Sequence, residues 1–234
     1  MTIRSVVDLL SRIHADCPEA EMFRGQLEDW PLLPSIGRYP NVVLGYNNWR
    51  GFHDHIISRF TRLAKPYFNE PPTSDADWWV HAQHYGCPTR LLDWTTNPLK
   101  ALFFALNEPA HDSRPGVFWA STFHSWREDL KATRREYWDT ELVPFFPPQL
   151  NPRLLAQEGC FLSYPLPDNT VALKPADKLL SKTSGGLSLS KFVIPATAKS
   201  RLRRELTILG GKFRLLFPDA DGVARGIKLE ELEP

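Results

Sequence analysis

The run from Gln83 to Asn107, QHYGCPTRLLDWTTNPLKALFFALN, restricts the fold more than any other part of the chain. It sets His84, Arg90, Asp93 and Asn97 among residues that are mostly apolar. An arginine or aspartate drawn inside by the flanking leucines needs a partner, because an unpaired buried charge costs several kcal/mol or more. Arg90 and Asp93 therefore face each other or a polar ligand. They stand three apart in a predicted strand and so on opposite faces, which lets only one of them point into a given pocket.

Hydrophobic periodicity places this run among other elements. Val6, Leu9, Leu10 and Ile13 recur at helical spacing and predict an amphipathic helix closed before Pro18, with residues 1–20 as a brace. EMFRG, from Glu21 to Gly25, reads as a strand that delivers Arg24 to a rim. Three prolines in WPLLPSIGRYP exclude a long helix and leave an ordered loop carrying Arg38. Trp49, Phe52, Ile56, Phe60 and Leu63 support a helix from Asn47 to about Lys65 with an asparagine cap. Ser74 and Asp77 cap a further helix through WWVHAQHY that stops at Gly86.

Thr89 to Trp94 reads as a buried strand, after which Asn97 and Pro98 start a helix apolar nearly all round, a core element. GVFWA, CFLSYPL and KFVIPA predict strands, ELVPFFPPQLNP a linker-like loop, and Trp126 to Trp138 a surface helix. Asn151-Pro152 starts a helical turn ending at Gly159, and Thr197 to Leu209 is a basic amphipathic helix closed by Gly210-Gly211. A turn at Pro218-Asp219 and a last short helix follow. The pattern predicts an α+β fold: one domain over residues 1–234, a small, mostly antiparallel sheet flanked by helices, and residues 190–234 as a helical extension.

Composition removes several function classes. With 234 residues, 42% hydrophobic, 24% charged and a net charge of +1, the chain is neither disordered nor a general polyanion binder. Cys17, Cys87 and Cys160 are too few and too scattered for a disulfide framework, which fits a reducing cytoplasm. His81 and His84, with Cys87 beyond, fall short of a zinc site. The N-terminal sequence has charges inside its apolar pattern and no small-residue cleavage site, so it does not read as a signal peptide. No apolar run approaches the roughly 20 residues that cross a bilayer, so no membrane partner is expected. Nucleophile-elbow, Walker and Rossmann patterns are missing from the sequence.

Three clusters combine polar residues with glycine: Phe23-Arg24-Gly25-Gln26, HYGCPTRLLDWTTNP from His84 to Pro98, and Gln157-Glu158-Gly159. In that order, and with KFVIPA and LFPDADGVAR after them, they make the chain resemble the FRG domain family, named for the first cluster. Such domains occur in bacterial and phage-related proteins, many linked to defence or toxicity, and their layout is similar to that of ADP-ribosyltransferases. There an early strand presents Arg or His, a second strand leads into a helix under the nicotinamide pocket, and a later strand or loop carries a polar residue.

The resemblance implies NAD as substrate, with ADP-ribose passed to a macromolecular acceptor, protein or nucleic acid, or to water. It assigns Arg24, Gln157 and Glu158 to catalysis, and Arg24, Gly25, Gln26, His84, Tyr85, Thr89, Arg90 and Asp93 to binding the cofactor. Breaking the nicotinamide–ribose bond passes through an oxocarbenium-like state, so the site needs a hold on pyrophosphate and ribose. Arg24 offers a planar fork, and Gly25 close backbone approach. Chemistry favours Glu158 as the polar group near the ribose, whereas the family pattern favours Gln157.

Other readings stay open. Arg24 also fits one half of an ion pair with Asp93 or Glu158. Trp30, Trp49, Trp78, Trp79 and Trp94 suit either core positions or stacking on rings. A non-catalytic module would recognise nucleic acid or a phage protein through the same pocket and a basic patch at Arg201, Arg203 and Arg204.

Overall fold

The computed structural model describes residues 1–123, 139–147, 151–180 and 187–232. Six strands, β1 (Met22–Gln26), β2 (Leu91–Thr95), β3 (Gly116–Thr122), β4 (Val143–Phe145), β5 (Gly159–Ser163) and β6 (Ser188–Ile194), form one open sheet in the order β4-β5-β2-β1-β3-β6. All neighbouring strands run antiparallel. With the flanking helices this is an α+β fold. No helix among the described residues is long and apolar enough to cross a membrane.

Local sequence signals set the helix starts. α1 (Val6–Asp16) is capped by Ser5, and α2 (Trp49–Ala64) by Asn48, whose side chain accepts from Gly51 N. Ser74 accepts from Asp77 N at the start of α3 (Asp75–His84). Asn97 accepts from the Leu99 and Lys100 amides, with Pro98 in the first turn of α4 (Pro98–Phe104). The prolines of Pro152 and Pro175 precede or open α5 (Pro152–Ala156) and α6 (Ala176–Leu179). Then come α7 (Ala196–Ile208), α8 (Phe213–Leu216) and α9 (Ala220–Leu232), the last longer than the short closing helix expected from sequence.

Both sheet faces are covered. On one, Phe23 and Phe118 pack with Leu9 of α1, Leu102 of α4 and Leu202 of α7. On the other, Met22, Leu92 and Trp119 meet Trp49 and Phe52 of α2. A third cluster sets Trp78 and Trp79 of α3 against Leu91, Phe145 and Phe161. α4 lies so close to β1 that a Cβ on Gly25 would stand 1.9 Å from the Ala101 carbonyl oxygen. Gly25 is thus demanded by helix packing, a different reason from the ligand approach that the sequence suggested.

The linker-like ELVPFFPPQLNP contains β4, an edge strand paired with β5. Pro144 is tolerated there because an edge residue can lack an N–H, and Phe145 stacks on Phe161 with an interplanar angle of 28°. The expected surface helix from Trp126 to Trp138 lies outside the described residues.

The pairing is uneven at the middle of the sheet. β1 and β3 align from Met22↔Ser121 to Gln26↔Val117, and β2 and β5 from Leu91↔Ser163 to Thr95↔Gly159. β1 and β2 share one register pair, Phe23↔Thr95, and then part. The sheet is split there, and backbone that a ladder would have covered is left to side chains.

Candidate functional site

A cleft of about 410 Å³ opens at this split. β1 supplies Arg24 and Gln26, the end of α3 supplies Gln83 and His84, β2 supplies Asp93, and the α5 turn supplies Arg153 and Gln157. Its size lies in the usual range for small-molecule sites, about 300–1,000 Å³.

Arg24 spans the gap. Its Nη1 donates to the Asp93 carbonyl oxygen at 2.5 Å and stands 4.0 Å from the Asp93 carboxylate. The side chain thereby serves a carbonyl that the parted ladder does not. Arg24 Nε is buried and has no hydrogen-bond partner. Burial is the main influence lowering the guanidinium's pKa, Asp93 opposes it and Arg38 adds to it; arginine stays protonated regardless. Arg24 thus both stands within ion-pair distance of Asp93 and lines the cleft.

Asp93 is oriented from behind. Its carboxylate is 69% exposed, and Oδ1 accepts from Gln83 Nε2 at 2.6 Å. Gln83 Oε1 in turn accepts from the Thr89 hydroxyl, which itself accepts from Leu91 N at 3.1 Å. Thr89 N donates to Ser35 Oγ at 2.9 Å. Thr89 is fully buried and outside the cleft, so it acts on the site only by fixing Gln83.

The remaining predicted residues separate clearly. Gln26 reaches the cleft, but its amide accepts from Trp119 Nε1 at 2.7 Å and donates to the Trp30 carbonyl at 3.4 Å. His84 lines the cleft, and burial, followed by Arg153, holds its pKa below the usual histidine value. Its ring is therefore neutral at pH 7 and offers one donor and one acceptor. Gln157 also lines the cleft; its Nε2 donates to the Leu216 carbonyl at 3.1 Å, and its backbone oxygen accepts from Thr95 Oγ1 at 2.7 Å.

Glu158 turns away. At φ +46 it is the described non-glycine residue in the left-handed region. Its carboxylate meets Lys100 Nζ at 2.8 Å and Asn97 Nδ2 at 3.3 Å, and the Lys100 bond above all holds its pKa below the usual carboxylate range. Tyr85 and Arg90 also lie outside the cleft. Tyr85 lines a separate groove. Arg90, 4% exposed, pairs with Asp139 at 2.7 Å, donates from Nε to the Tyr164 carbonyl at 3.0 Å and stands 5.3 Å from the Trp79 ring centroid. Arg90 and Asp93 do point to different places, as their spacing requires.

Besides Gln83, cleft residues that were not among the predicted site include Arg38, Arg153 and Trp30. Arg38 ends a short 3₁₀ turn, Ser35–Arg38, and has no ion pair among the described residues. Arg153 sits 4.3 Å over the Phe217 ring. Trp30, 42% exposed, stands edge-on to His111 at the rim. Arg153 was readable in principle, because it precedes Gln157 by one helical turn and shares its face. Together these groups can hold anionic oxygens, flank a planar ring and set one oriented carboxylate against developing positive charge.

Residues 19–114 match the FRG domain family. This stretch is similar to FRG domains. The matched span contains β1, α3, β2 and α4, hence Arg24, Gln83, His84 and Asp93, whereas Arg153 and Gln157 follow it. The cleft is thus built partly by the matched span and partly by the later α5 turn. No curated protein and no solved structure matches this chain.

Proposed function

We propose that this cleft binds NAD and breaks its nicotinamide–ribose bond, passing ADP-ribose to a macromolecule or to water. The observation that carries this reading is Arg24, a charged and incompletely satisfied guanidinium at the sheet split, next to the exposed carboxylate of Asp93. The orphaned Nε is a donor suited to a phosphate or ribose oxygen. Arg38 and Arg153 extend the cationic wall for a pyrophosphate, and Trp30 or Phe104 offers an aromatic surface for a planar ring.

Cleavage of the bond sends its electron pair to the nicotinamide nitrogen and leaves positive charge on the ribose, which a fixed carboxylate stabilises. Among the predicted residues lining the cleft, Asp93 is the carboxylate and Gln157 the amide that can accept from a ribose hydroxyl. Glu158, engaged by Lys100 outside the cleft, is assigned no part. The order of parts, an arginine on β1, a β2 that runs into α4, and Gln157 before β5, parallels the ADP-ribosyltransferase layout.

Incubating the protein with NAD and following nicotinamide release by chromatography tests the reading. Asp93→Asn and Arg24→Ala should each lower the rate about a hundredfold, the size expected for loss of one electrostatic group. No release, together with no thermal stabilisation by NAD or ADP-ribose, would remove the proposal.

A further inference from the structure

Behind the α3 C-terminus lies a second hollow, a groove of about 690 Å³ on α2 and the turn after it. Its lining is aromatic, including Phe60, Tyr67, Phe68 and Tyr85, and no aspartate or glutamate lines it. Tyr67 is 88% exposed and Tyr85 64%, so both rings present a face to solvent. Along the same stretch stand Arg59, Arg62 and Lys65, all exposed and without a hydrogen bond or ion pair among the described residues. Arg59 and Arg62 are one helical turn apart and so adjacent. Asp54, the acidic residue of α2, lies beside His53, away from the groove lining.

The basic helix expected from sequence has two of its three arginines engaged, and the third, Arg204, donates to Ser200 Oγ at 3.2 Å. On α7, Arg203 is bidentate to Asp112 at 2.9 and 2.7 Å and also donates to the Leu106 carbonyl, while Arg201 is paired with Glu205 at 2.7 Å. Those two charges are paired, whereas Arg59, Arg62 and Lys65 have no ion pair among the described residues.

We propose that the α2 groove is a seat for single-stranded nucleic acid, with bases stacked on Tyr67 and Tyr85 and phosphates at Arg59, Arg62 and Lys65. Exposed rings interleaved with unpaired cations are the combination that a flexible polyanion with π-faces satisfies. A duplex keeps its base faces covered, and an acidic peptide would match the charges but leave the tyrosines without stacking partners. The groove also leads toward the cleft. Cys87 lines it and a smaller hollow of about 170 Å³ that shares Arg24, Arg38, Gln83 and Asp93 with the cleft. A strand in the groove would end beside Arg24, although its binding requires no NAD chemistry and stands or falls separately.

The test is fluorescence anisotropy of a labelled oligo-dT of about ten nucleotides. Binding should weaken with salt with a log–log slope of about −2, from three phosphates at roughly 0.7 each. Tyr67→Ala and Tyr85→Ala should each reduce affinity about tenfold, and Arg59→Glu with Arg62→Glu should flatten the slope. All four side chains are exposed, so circular dichroism of these variants should match the parent; Arg201→Glu should leave binding unchanged. The proposal is overturned if oligo-dT does not bind at low salt, if duplex DNA or polyglutamate binds as tightly, or if both tyrosine variants bind like the parent.

Discussion

Arg24 and Arg90 both set a guanidinium against β2, one at the sheet split and one just ahead of the strand, and the protein completes only the second. Arg90 is enclosed by Asp139, the Tyr164 carbonyl and the Trp79 ring. Asp139 is itself shared with Arg50 at 3.2 Å. Arg24 has one carbonyl bond and a distant carboxylate, and its Nε has no partner. A buried cation enclosed by a carboxylate, a carbonyl and a ring serves the fold, whereas one left partly unsatisfied beside a cavity keeps a donor that a ligand could use.

The largest effect should therefore come from Arg90. Arg90→Ala leaves the buried Asp139 carboxylate with Arg50 alone and should cost about 3 kcal/mol, lowering Tm by roughly 10 °C in a domain of this size. Arg24→Ala removes one hydrogen bond at a solvent-reaching cleft and should cost about 1 kcal/mol, while abolishing any thermal shift produced by NAD. Denaturant titration of the two variants decides this. Equal losses would dissolve the contrast.

His53 sharpens the same contrast through pH. It is 1% exposed, stands edge-on to Trp79, and its Nε2 is buried without a partner. Burial, the dominant cause, pushes its pKa down to about 4, with Arg90 adding to the effect and Asp54 opposing it. The charged form is disfavoured in the folded state, so this contribution is fully present above the unfolded value near 6.5 and is lost as pH falls toward 4. The total loss should be about 3 kcal/mol. Glu28 and Glu158, whose partners lower their carboxyl pKa values, add further losses at more acidic pH. A His53→Gln variant should flatten the stability curve between pH 6.5 and 4; an unchanged slope there would show that His53 is not the titrating group.

Thr89 connects the two regions, since it adjoins Arg90 in sequence and orients Asp93 through Gln83. Thr89→Val keeps shape but takes the hydroxyl from Gln83 Oε1 and Leu91 N, at a cost of about 1–2 kcal/mol. Nicotinamide release should fall more than stability does, because the Gln83 amide is freed to turn and Asp93 loses its alignment. Release at the parent rate would break the relay.

What could be read from sequence was local. Ser74 with Asp77 and Asn97 with Pro98 announced their helices because a cap and the amides it serves lie within one turn. Arg90 was rightly seen to need a partner, yet that partner, Asp139, is remote in sequence and within a stretch whose prolines and charges suggested only surface. β4 was hidden by the same prolines, which weaken a strand signal without forbidding an edge strand. The split between β1 and β2 is a property of pairing, so no periodicity in either strand could disclose it.

The smallest predicted effect bears on the choice that sequence left open, Gln157 or Glu158. One residue separates them, and the left-handed φ of +46 at Glu158 sends consecutive side chains to different surroundings. Glu158→Gly relieves about 1 kcal/mol of backbone strain and loses a surface ion pair with Lys100 worth about as much or less. Stability should shift by under about 1 kcal/mol, and nicotinamide release should stay at the parent rate. Gln157→Ala should instead reduce release while leaving the Lys100–Glu158 pair in place, because the cleft loses the amide that faces it. If Glu158→Gly silenced release and Gln157→Ala did not, the chemistry would belong on the Lys100 side of the α5 turn, and the split at Arg24 would lose its claim to be the reaction centre.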